Sequence, residues 1–290
     1  MRKIYALGPA GTYGHEAAEL VRKFRPGMSD CQLEFCGSNE EILGRVEAAD
    51  SADVFGVAPV ENSTAGLVRA VIKFWMRQKD SWSQNRLQVI GEVGLPVHHC
   101  LLAYPGVKDV SAIQSVTSHP QALSQCDASL ARLGLSIKEP TLSTAVAAQY
   151  VSDHGNSEAM VAIASEFAAK VYGLDILERH LEDENANETK FHLVGRQPTS
   201  EVAESKTAVL FWLRDEPAAL HDAMGAIAAA KANMSSIHSI PLGERGKFAF
   251  YVEFQGHLGN DVTRSVLTIM KARTDRFVIL GSFAELKGDR

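Results

Sequence analysis

The chain has 290 residues, 46% of them hydrophobic and 22% charged, a composition typical of an ordinary globular protein with one large domain or a few smaller ones. Its formal net charge of −6 argues against a nucleic-acid partner, although a local site can still bind a small anion. No apolar stretch reaches the length of a membrane span or of a signal peptide, and the 4 cysteines form no CxxC pair, so we expect a cytoplasmic protein with reduced cysteines and no membrane partner.

The first 197 residues alternate short apolar runs with helical patterns, an order typical of crossover units around a mainly parallel sheet. In chain order the pattern predicts strand 4–7, helix 15–24, strand 33–36, helix 40–49, strand 54–60 and helix 64–76. A polar loop at 79–86 and a strand-rich stretch at 87–104 follow, and then strand 113–116, helix 121–133, strand 137–139, helix 144–151, strand 160–164, helix 165–172 and a closing strand at 189–194.

The middle of this region is predicted to be a second lobe, inserted between the first lobe and its closing strand. We predict an α/β region at 1–197, with lobe one at about 1–77 plus 175–197 and lobe two at about 78–174. Two lobes joined by two crossings of the chain form a cleft, and ligands usually bind in such a cleft.

The last third of the chain has a separate, compact pattern. Residues 198–205 are polar and are predicted to form a linker. The segment 206–290 then predicts strand 208–213, helix 217–232, strand 234–241, a hairpin turn at 243–246, strand 248–254, helix 262–272 and strand 277–283. This βαββαβ order is that of a ferredoxin-like domain.

Four segments place polar side chains where a strand is predicted to lead into a helix: GPAGTYG at 8–14, PVENSTAGLV at 59–68, TSHPQAL at 117–123 and LSTAVAA at 142–148. Helix capping alone explains one such residue in each segment. Asn62, Ser63 and Thr64 are three potential caps in a row, more than one helix needs. Together the segments supply hydroxyls, amides and helix N-termini around one cleft, with His119 or Lys190 as a charge, and such a set favours a small polyanion.

A fifth polar segment, NETKF at 187–191, opens the closing strand. We expect Thr189 and Lys190 to face the four turns across the cleft, although a Thr-Lys-Phe run is also typical of any strand with alternating faces. His98, His99 and Cys100 are adjacent on a predicted strand and cannot all bind one ion, so we expect no metal site. Neither Gly-x-Ser-x-Gly nor His-Glu-x-x-His occurs, which excludes the common serine hydrolases and zinc peptidases.

In this order and spacing the five segments resemble the motifs of prephenate dehydratase, and EPAALHDAM, NMSSIHSIP and KFAFYVEFQGH resemble its ACT regulatory domain. The resemblance implies conversion of prephenate to phenylpyruvate, water and CO2 in phenylalanine biosynthesis, with no metal and no organic cofactor. It also implies a periplasmic-binding-protein-like catalytic region at 1–197, an ACT domain at 206–290, a homodimer or homotetramer, and L-phenylalanine as an effector.

The resemblance also implies roles for single residues. Thr189 matches the threonine favoured in the family as donor to the departing hydroxyl, so it is the implied catalytic residue. The implied substrate-binding residues are Thr12, Tyr13, Asn62, Ser63, Thr64, Ser118, His119, Gln121, Ser143, Thr144, Lys190 and Phe191. The implied allosteric residues are Ala218, Ala219, Leu220, Asn233, Met234 and Ser239.

The chain departs from the family pattern at three places. Lys190 replaces an arginine and cannot hold a carboxylate by two parallel hydrogen bonds. Gly14 replaces a serine, which removes one hydroxyl. In the ACT-like segment, 238–241 reads His-Ser-Ile-Pro instead of Glu-Ser-Arg-Pro and Ala218 replaces a glycine, so the sequence puts inhibition by phenylalanine in doubt.

The motifs leave three other functions open. Arogenate differs from prephenate by an amine in place of a keto group, and nothing in the motifs decides between the two. A prephenate decarboxylase that forms no aromatic ring is a related lyase, and retention of Thr189 argues against it. A non-catalytic small-molecule sensor with an ACT module is the alternative from a different class of protein.

Overall fold

The computed structural model describes residues 1–78, 87–107, 113–184, 187–197, 199–244 and 246–287. The predicted loop at 79–86, Pro198 of the predicted linker and Arg245 of the predicted hairpin turn lie outside the described residues. Within the described ranges the chain forms three β-sheets flanked by helices, so the α/β class is confirmed. No helix in these ranges is both long enough and apolar enough to cross a membrane.

The first sheet collects strands from both ends of the predicted two-lobed region. Its strands are β1 (Lys3–Leu7), β2 (Gln32–Cys36), β3 (Val54–Asn62), β4 (Gly66–Leu67), β5 (Gln88–Pro96) and β11 (Glu188–Gly195). They are ordered β2-β1-β3-β11-β5, with β4 paired to β3. β1 is parallel to β2 and β3, whereas β11 is antiparallel to β3 and β5. The accompanying helices are α1 (Tyr13–Phe24), α2 (Asn39–Ala48) and α3 (Arg69–Arg77).

The second sheet is formed by the middle of the chain. Its strands are β6 (Cys100–Ala103), β7 (Ser115–Ser118), β8 (Ile137–Pro140), β9 (Met160–Ala164) and β10 (Asp175–Glu178), in the order β10-β6-β9-β7-β8. The helices are α4 (Pro120–Gln125), α5 (Asp127–Arg132), α6 (Thr144–Glu158) and α7 (Glu166–Tyr172). The central strand β9 is buried at all five positions, as expected for a strand covered on both faces.

The chain passes between these two sheets twice. The first crossing, 97–99, joins β5 to β6, and the second, which includes 179–184 and 187, leads from β10 to β11. Backbone hydrogen bonds join the crossings, from Val97 N–H to the Asn187 carbonyl (2.8 Å) and from Leu181 N–H to the His99 carbonyl (2.9 Å). The two crossings therefore run side by side between the lobes.

The predicted lobe boundaries are corrected by the strand pairing. β5 falls in the predicted lobe two (78–174), but it belongs to the first sheet, where it pairs with β11 from Glu188↔Pro96 to Gly195↔Gln88. β10 falls in the predicted lobe one (175–197), but it pairs with β6 in the second sheet. A short strand has the same sequence pattern in either lobe, and only its hydrogen-bonded neighbour decides where it belongs.

The predicted helix at 64–76 begins later than expected. The chain turns at 63–65 and pairs as β4 before α3 starts at Arg69. The Asn62 side-chain oxygen accepts hydrogen bonds from the Thr64 and Ala65 N–H groups (3.1 and 2.9 Å), and Gly66 takes a φ of +79°. The Asn62 side chain therefore closes a turn and does not cap a helix. Asparagine side chains commonly close turns in this way.

The C-terminal segment forms the predicted βαββαβ unit. Its elements are β12 (Lys206–Trp212), α8 (Ala219–Ala229), β13 (Met234–Pro241), β14 (Phe248–Gln255), α9 (Asp261–Ala272) and β15 (Arg276–Phe283), with strand order β13-β14-β12-β15. Strand alternation gives this sheet two apolar faces. Val209 and Phe211 pack with α8 and α9, whereas Leu210 packs with Trp75 of α3 and Val89 of β5. The C-terminal sheet therefore rests directly on the first lobe.

Candidate active site

A cavity of about 350 Å³ is lined by residues of both lobes and both crossings. Its lining residues are Tyr13, Asn62, Ala65, Val97, His99, His119, Gln121, Ala122, Gln125, Leu142, Ser143, Thr144, Asn187 and Thr189. The volume falls within the usual range for a site that takes a small organic ligand. None of these lining residues is a lysine or an arginine, so hydroxyl, amide, imidazole and backbone N–H groups are the donors that the wall offers to a ligand.

Thr189 and Asn62 form the centre of the first-lobe wall. They face each other as a register pair between β11 and β3, and the Asn62 side-chain amide donates to Thr189 Oγ1 at 3.0 Å. The same amide donates to Asn187 Oδ1 at 2.6 Å. Because Asn62 donates to the hydroxyl oxygen of Thr189, the O–H of Thr189 remains available as a donor to a ligand in the cavity.

The opposite wall contains two helix starts. Ser143 caps α6, and its Oγ accepts a hydrogen bond from Val146 N–H at 3.1 Å, so Thr144 stands in the first turn. His119 precedes α4, where its Nδ1 accepts from Gln121 N–H at 3.3 Å. The free N–H groups of the first turn of α6 give this wall a positive partial charge, which favours an anionic ligand.

His99 and Gln125 line the cavity and were not predicted as site residues. His99 Nε2 lies 3.1 Å from Gln125 Oε1, while His99 Nδ1 has no hydrogen-bond partner among the described residues although the side chain is buried. Burial lowers the pKa of His99, so the ring is neutral near pH 7. Gln125 lies one helical turn after Gln121, and that spacing was the only sequence signal for it.

Tyr13 reaches the cavity, but its hydroxyl is already engaged. The hydroxyl donates to the His98 carbonyl at 2.8 Å, which ties α1 to the first crossing. Burial raises the pKa of Tyr13 far above its ordinary value, so the side chain stays protonated. Tyr13 therefore acts in the wall and in the connection between the lobes.

Six of the predicted substrate-binding residues, with Thr189, are brought together in this cavity: Tyr13, Asn62, His119, Gln121, Ser143 and Thr144. Three others are structural. Thr12 caps α1 and donates to the Leu7 carbonyl at 2.6 Å. Ser118 is completely buried and donates to the Ile163 carbonyl at 2.6 Å, and Phe191 packs in the core of the first lobe. The prediction that these three line the cleft is corrected.

Ser63 and Thr64 lie beside the cavity rather than in its wall. Ser63 Oγ accepts a hydrogen bond from Glu188 N–H at 2.9 Å and so fastens the turn to β11. Thr64 lines a neighbouring cavity together with Asp183 and Glu184. Ser63 therefore holds the Asn62 turn in place, whereas Thr64 contributes only its backbone N–H to that turn.

Lys190 was predicted to face the cleft, and the structure places it on the other side of β11. Its Nζ lies 3.0 Å from Glu61 Oε2, and the second oxygen of Glu61 lies 2.8 Å from His238 Nε2 of β13. Adjacent residues of a strand point to opposite faces, so Lys190 cannot share the face of Thr189. The cation serves the contact with the C-terminal sheet.

The residues predicted as allosteric lie in the C-terminal unit. Ala218 is exposed and takes the left-handed backbone conformation (φ +66°) just before α8, where Ala219 and Leu220 begin the helix. Asn233 and Met234 are exposed where β13 starts, and Ser239 is exposed further along that strand. β13 is an edge strand of its sheet.

Comparison with known proteins gives one consistent family. The family model described as prephenate dehydratase matches residues 4–199. The prephenate dehydratase of Methanocaldococcus jannaschii is 30% identical over 284 residues, which cover 97% of each chain. The chloroplastic arogenate dehydratase/prephenate dehydratase 2 of Arabidopsis thaliana is 32% identical over 295 residues, which cover 97% of this chain and 72% of that protein.

Two solved structures show the same architecture over nearly the whole chain. The prephenate dehydratase of Arthrobacter aurescens in complex with L-Phe is 28% identical, with a TM-score of 0.82 and coverage of 98% of this chain and 90% of that one. GqqA, described as a novel type of quorum quenching acylase, is also 28% identical, with a TM-score of 0.78 and coverage of 97% of both chains.

Proposed function

Because this chain belongs to the prephenate dehydratase family, we propose that it converts prephenate into phenylpyruvate, water and CO2 in the cavity around Thr189. The chain is therefore a carbon–oxygen lyase of phenylalanine biosynthesis. The observation that supports the assignment of the site is the pairing of Thr189 with Asn62 in the wall of the cavity, which leaves the Thr189 hydroxyl available as a donor.

The chemistry asks little of the protein. The bond between the ring and its carboxylate breaks and releases CO2, its electron pair enters the ring, and the C–O bond to the ring hydroxyl breaks. The ring becomes aromatic, so the driving force lies in the substrate. The departing hydroxide takes up one proton, which the Thr189 hydroxyl can pass to it and regain from solvent. Positioning the substrate against that hydroxyl is the main task of the site.

Asn62 supports this step in two ways. Its amide holds the Thr189 oxygen in place, and an N–H donor to that oxygen stabilises the negative charge that develops as the proton leaves. The two carboxylates of prephenate need donors as well. The first turn of α6 and the side chain of Gln121 stand on the facing wall and supply neutral ones.

We propose that 1–197 is the catalytic region, 198–205 a linker, and 206–290 an ACT-type regulatory domain. The A. aurescens enzyme binds L-Phe, which makes L-phenylalanine the first effector to test for this chain. In this chain His238 contacts Glu61 of β3, so β13 is linked to the strand that ends at Asn62. Isothermal titration with L-phenylalanine tests the effector, and absence of binding would reject L-phenylalanine as the ligand of this domain.

We also propose that the chain forms a homodimer or homotetramer. The edge strand β13 exposes Met234 and Ile237, and the neighbouring β14 exposes Phe248. An apolar sheet edge of this kind favours pairing with a second copy. Light scattering during size-exclusion chromatography measures the mass directly, and a monomer at micromolar concentration would overturn the proposal.

The function is tested by mixing purified protein with prephenate and following the absorbance of phenylpyruvate in alkali. We expect the natural chain to form phenylpyruvate. Turnover should be about 10²- to 10⁴-fold lower for Thr189→Val, which keeps the shape of the side chain but removes the hydroxyl. Thr189→Ser retains the hydroxyl and is the matched control. A near-normal rate for Thr189→Val would remove Thr189 from the catalytic role.

The same assay separates the alternatives. A product without an aromatic ring would indicate a decarboxylase, and no turnover with tight binding would indicate a sensor. Arogenate offered in place of prephenate would give phenylalanine, so comparison of kcat/KM for the two substrates decides between them.

A further inference from the structure

Two histidines and one carboxylate meet where the chain crosses between the lobes. His98 belongs to the first crossing, and His180 and Glu182 belong to the second. His98 Nδ1 lies 2.7 Å from Glu182 Oε1, and His180 Nδ1 lies 3.4 Å from the same oxygen. Each of the three residues offers one ligand atom, and these atoms all lie within 4.8 Å of one another.

The three side chains have the properties of a metal-ligand set. Glu182 is almost completely buried, and its other oxygen accepts a hydrogen bond from His99 N–H at 2.8 Å, so the orientation of the carboxylate is fixed. Hydrogen bonds to a ligand of this kind normally set its direction toward the ion. The imidazoles of His98 and His180 are 41% and 59% exposed, which leaves solvent access to the remaining coordination positions.

We propose that His98, His180 and Glu182 bind one divalent transition-metal ion of the Zn²⁺ class and that this ion clamps the two interlobe crossings together. Two imidazole nitrogens and a carboxylate oxygen are a common donor set for Zn²⁺, with water completing the coordination. The first crossing supplies one ligand and the second supplies two, so the ion adds a link beside the backbone hydrogen bonds of Val97 and Leu181.

A second cluster in the described residues differs from the set formed by His98, His180 and Glu182, because it already contains a cation. Glu92, His192 and Glu253 also lie close together, but the Lys206 ammonium sits 2.7 Å from both carboxylates and already supplies the positive charge. Among the described residues, no lysine or arginine forms an ion pair with Glu182. The nearby cations Lys170 and Arg179 lie 3.1 and 3.4 Å from Glu166 and pair with that carboxylate.

The proposal is tested with tag-free full-length protein, first treated with a chelator and then titrated with Zn²⁺ against a chromogenic chelator. We expect one ion per chain. His98→Asn and His180→Asn should each weaken Zn²⁺ binding by at least about 10-fold. Loss of a residue that only supports a metal ligand already weakens binding by about 10- to 100-fold, and these variants lose a ligand itself. His221→Asn is the matched control, because this histidine is highly exposed on α8 and lies outside the cluster.

Thermal unfolding gives a second readout. Zn²⁺ at about 100 times its dissociation constant should raise the Tm of the natural chain by about 5 °C or more, and should leave the Tm of the double variant His98→Asn, His180→Asn unchanged. Equal Zn²⁺ affinity or an equal rise in Tm for the natural chain and the double variant would overturn the proposal. Neither readout depends on turnover, so failure here is distinct from failure of the dehydratase assignment.

Discussion

The hydroxyl oxygen of Thr189 accepts a hydrogen bond from the Asn62 carboxamide, and neighbouring backbone groups fix the orientation of that carboxamide. The Asn62 oxygen accepts from two backbone N–H groups, of Thr64 and Ala65, and this leaves the amide nitrogen to face Thr189. Since these two N–H groups hold the Asn62 oxygen, the Asn62 NH2 group is the one that faces Thr189 and donates to it.

Asn62→Asp separates the two duties of this residue. A carboxylate keeps the acceptor for the turn at 64–65 but cannot donate to Thr189 Oγ1, so we expect turnover to fall by about 10²- to 10³-fold. Steady-state kinetics with prephenate measure the effect. Thr64→Ala is the control, since the Thr64 side chain lines a different cavity. Comparable rates for Asn62→Asp and the natural chain would show that the amide donor is dispensable.

Ala218 carries backbone strain that a glycine would relieve. Its φ of +66° lies in the left-handed region, where a Cβ costs about 1–2 kcal/mol, part of which the greater freedom of unfolded glycine offsets. Ala218→Gly should therefore raise the free energy of unfolding by up to about 1 kcal/mol. Urea denaturation measures it. Ala228→Gly, inside α8, should instead lower the free energy of unfolding. A loss of stability for both variants would contradict the strain at Ala218.

At the scale of secondary-structure elements, β11 serves two parts of the molecule through its two faces. Thr189 faces the cavity and Phe191 packs in the first-lobe core, while Lys190 and His192 turn toward the C-terminal sheet. The pleat of a strand produces this division without any special residue. The strand that carries the proposed catalytic residue is therefore also an interface strand.

The contact between β15 and β5 depends on the absence of a side chain at Gly281. A Cβ there would overlap the Val89 carbonyl oxygen and would lie 2.9 Å from the Val89 nitrogen. Gly281→Ala should thus lower the free energy of unfolding by about 1–3 kcal/mol, the usual cost of overpacking. Chemical denaturation is the measurement.

Gly225→Ala is the matched control for that substitution. Gly225 lies in α8, and a Cβ added there would meet no neighbouring atom of the described residues within 4 Å. The added methyl group should therefore stabilise the helix by about 1 kcal/mol. Equal effects at 225 and 281 would show that β15 can move away from β5 at no cost.

At the scale of the whole molecule, a buried charge cluster joins the first sheet to the C-terminal sheet. Lys206 of β12 lies 2.7 Å from Glu92 of β5 and 2.7 Å from Glu253 of β14. His192 of β11 is 3.7 Å from both carboxylates, and the Tyr251 hydroxyl donates to Glu253. One ammonium thus compensates two buried carboxylates on two different sheets.

Lys206→Met should remove that compensation. Loss of one partner from a buried ion pair leaves uncompensated charge, so we expect the free energy of unfolding at pH 7 to fall by about 3–5 kcal/mol. Lys287→Met, at an exposed surface pair with Glu204, is the control and should change stability far less. A small effect at Lys206 would mean that water reaches the cluster.

The same lysine predicts the direction of a pH effect. Burial alone lowers the pKa of Lys206, but Glu92 and Glu253 outweigh burial and raise the pKa above its ordinary 10.5. The unfolded chain therefore loses this proton first, so the contribution is complete below pH 10.5 and is lost as the pH rises through the folded pKa. Denaturation between neutral and strongly alkaline pH should show a steeper loss for the natural chain than for Lys206→Met.

Features that neighbouring residues control could be predicted from the sequence. Most of the strand and helix order, the βαββαβ unit and the polar turns follow from local periodicity and turn chemistry, whereas the short strands β4 and β10 and the division of the predicted helix 121–133 into α4 and α5 were not predicted. The resemblance of the motifs also identified Thr189 and Asn62, which the structure brings to hydrogen-bond distance. The elements and turns depend on backbone preferences and side-chain spacing within a few residues, which a single sequence shows, whereas the roles of Thr189 and Asn62 came from the family resemblance alone.

Contacts between distant segments of the chain became known from the three-dimensional fold. The fold places β5 and β10 in the lobes opposite to those predicted. It also pairs Lys190 with Glu61, and His98 with Glu182, which is 84 residues away. Strand pairing and the packing of one sheet on another fix these meetings. Their energies depend on which surfaces come together, and that information is spread over the whole chain rather than held in any one stretch.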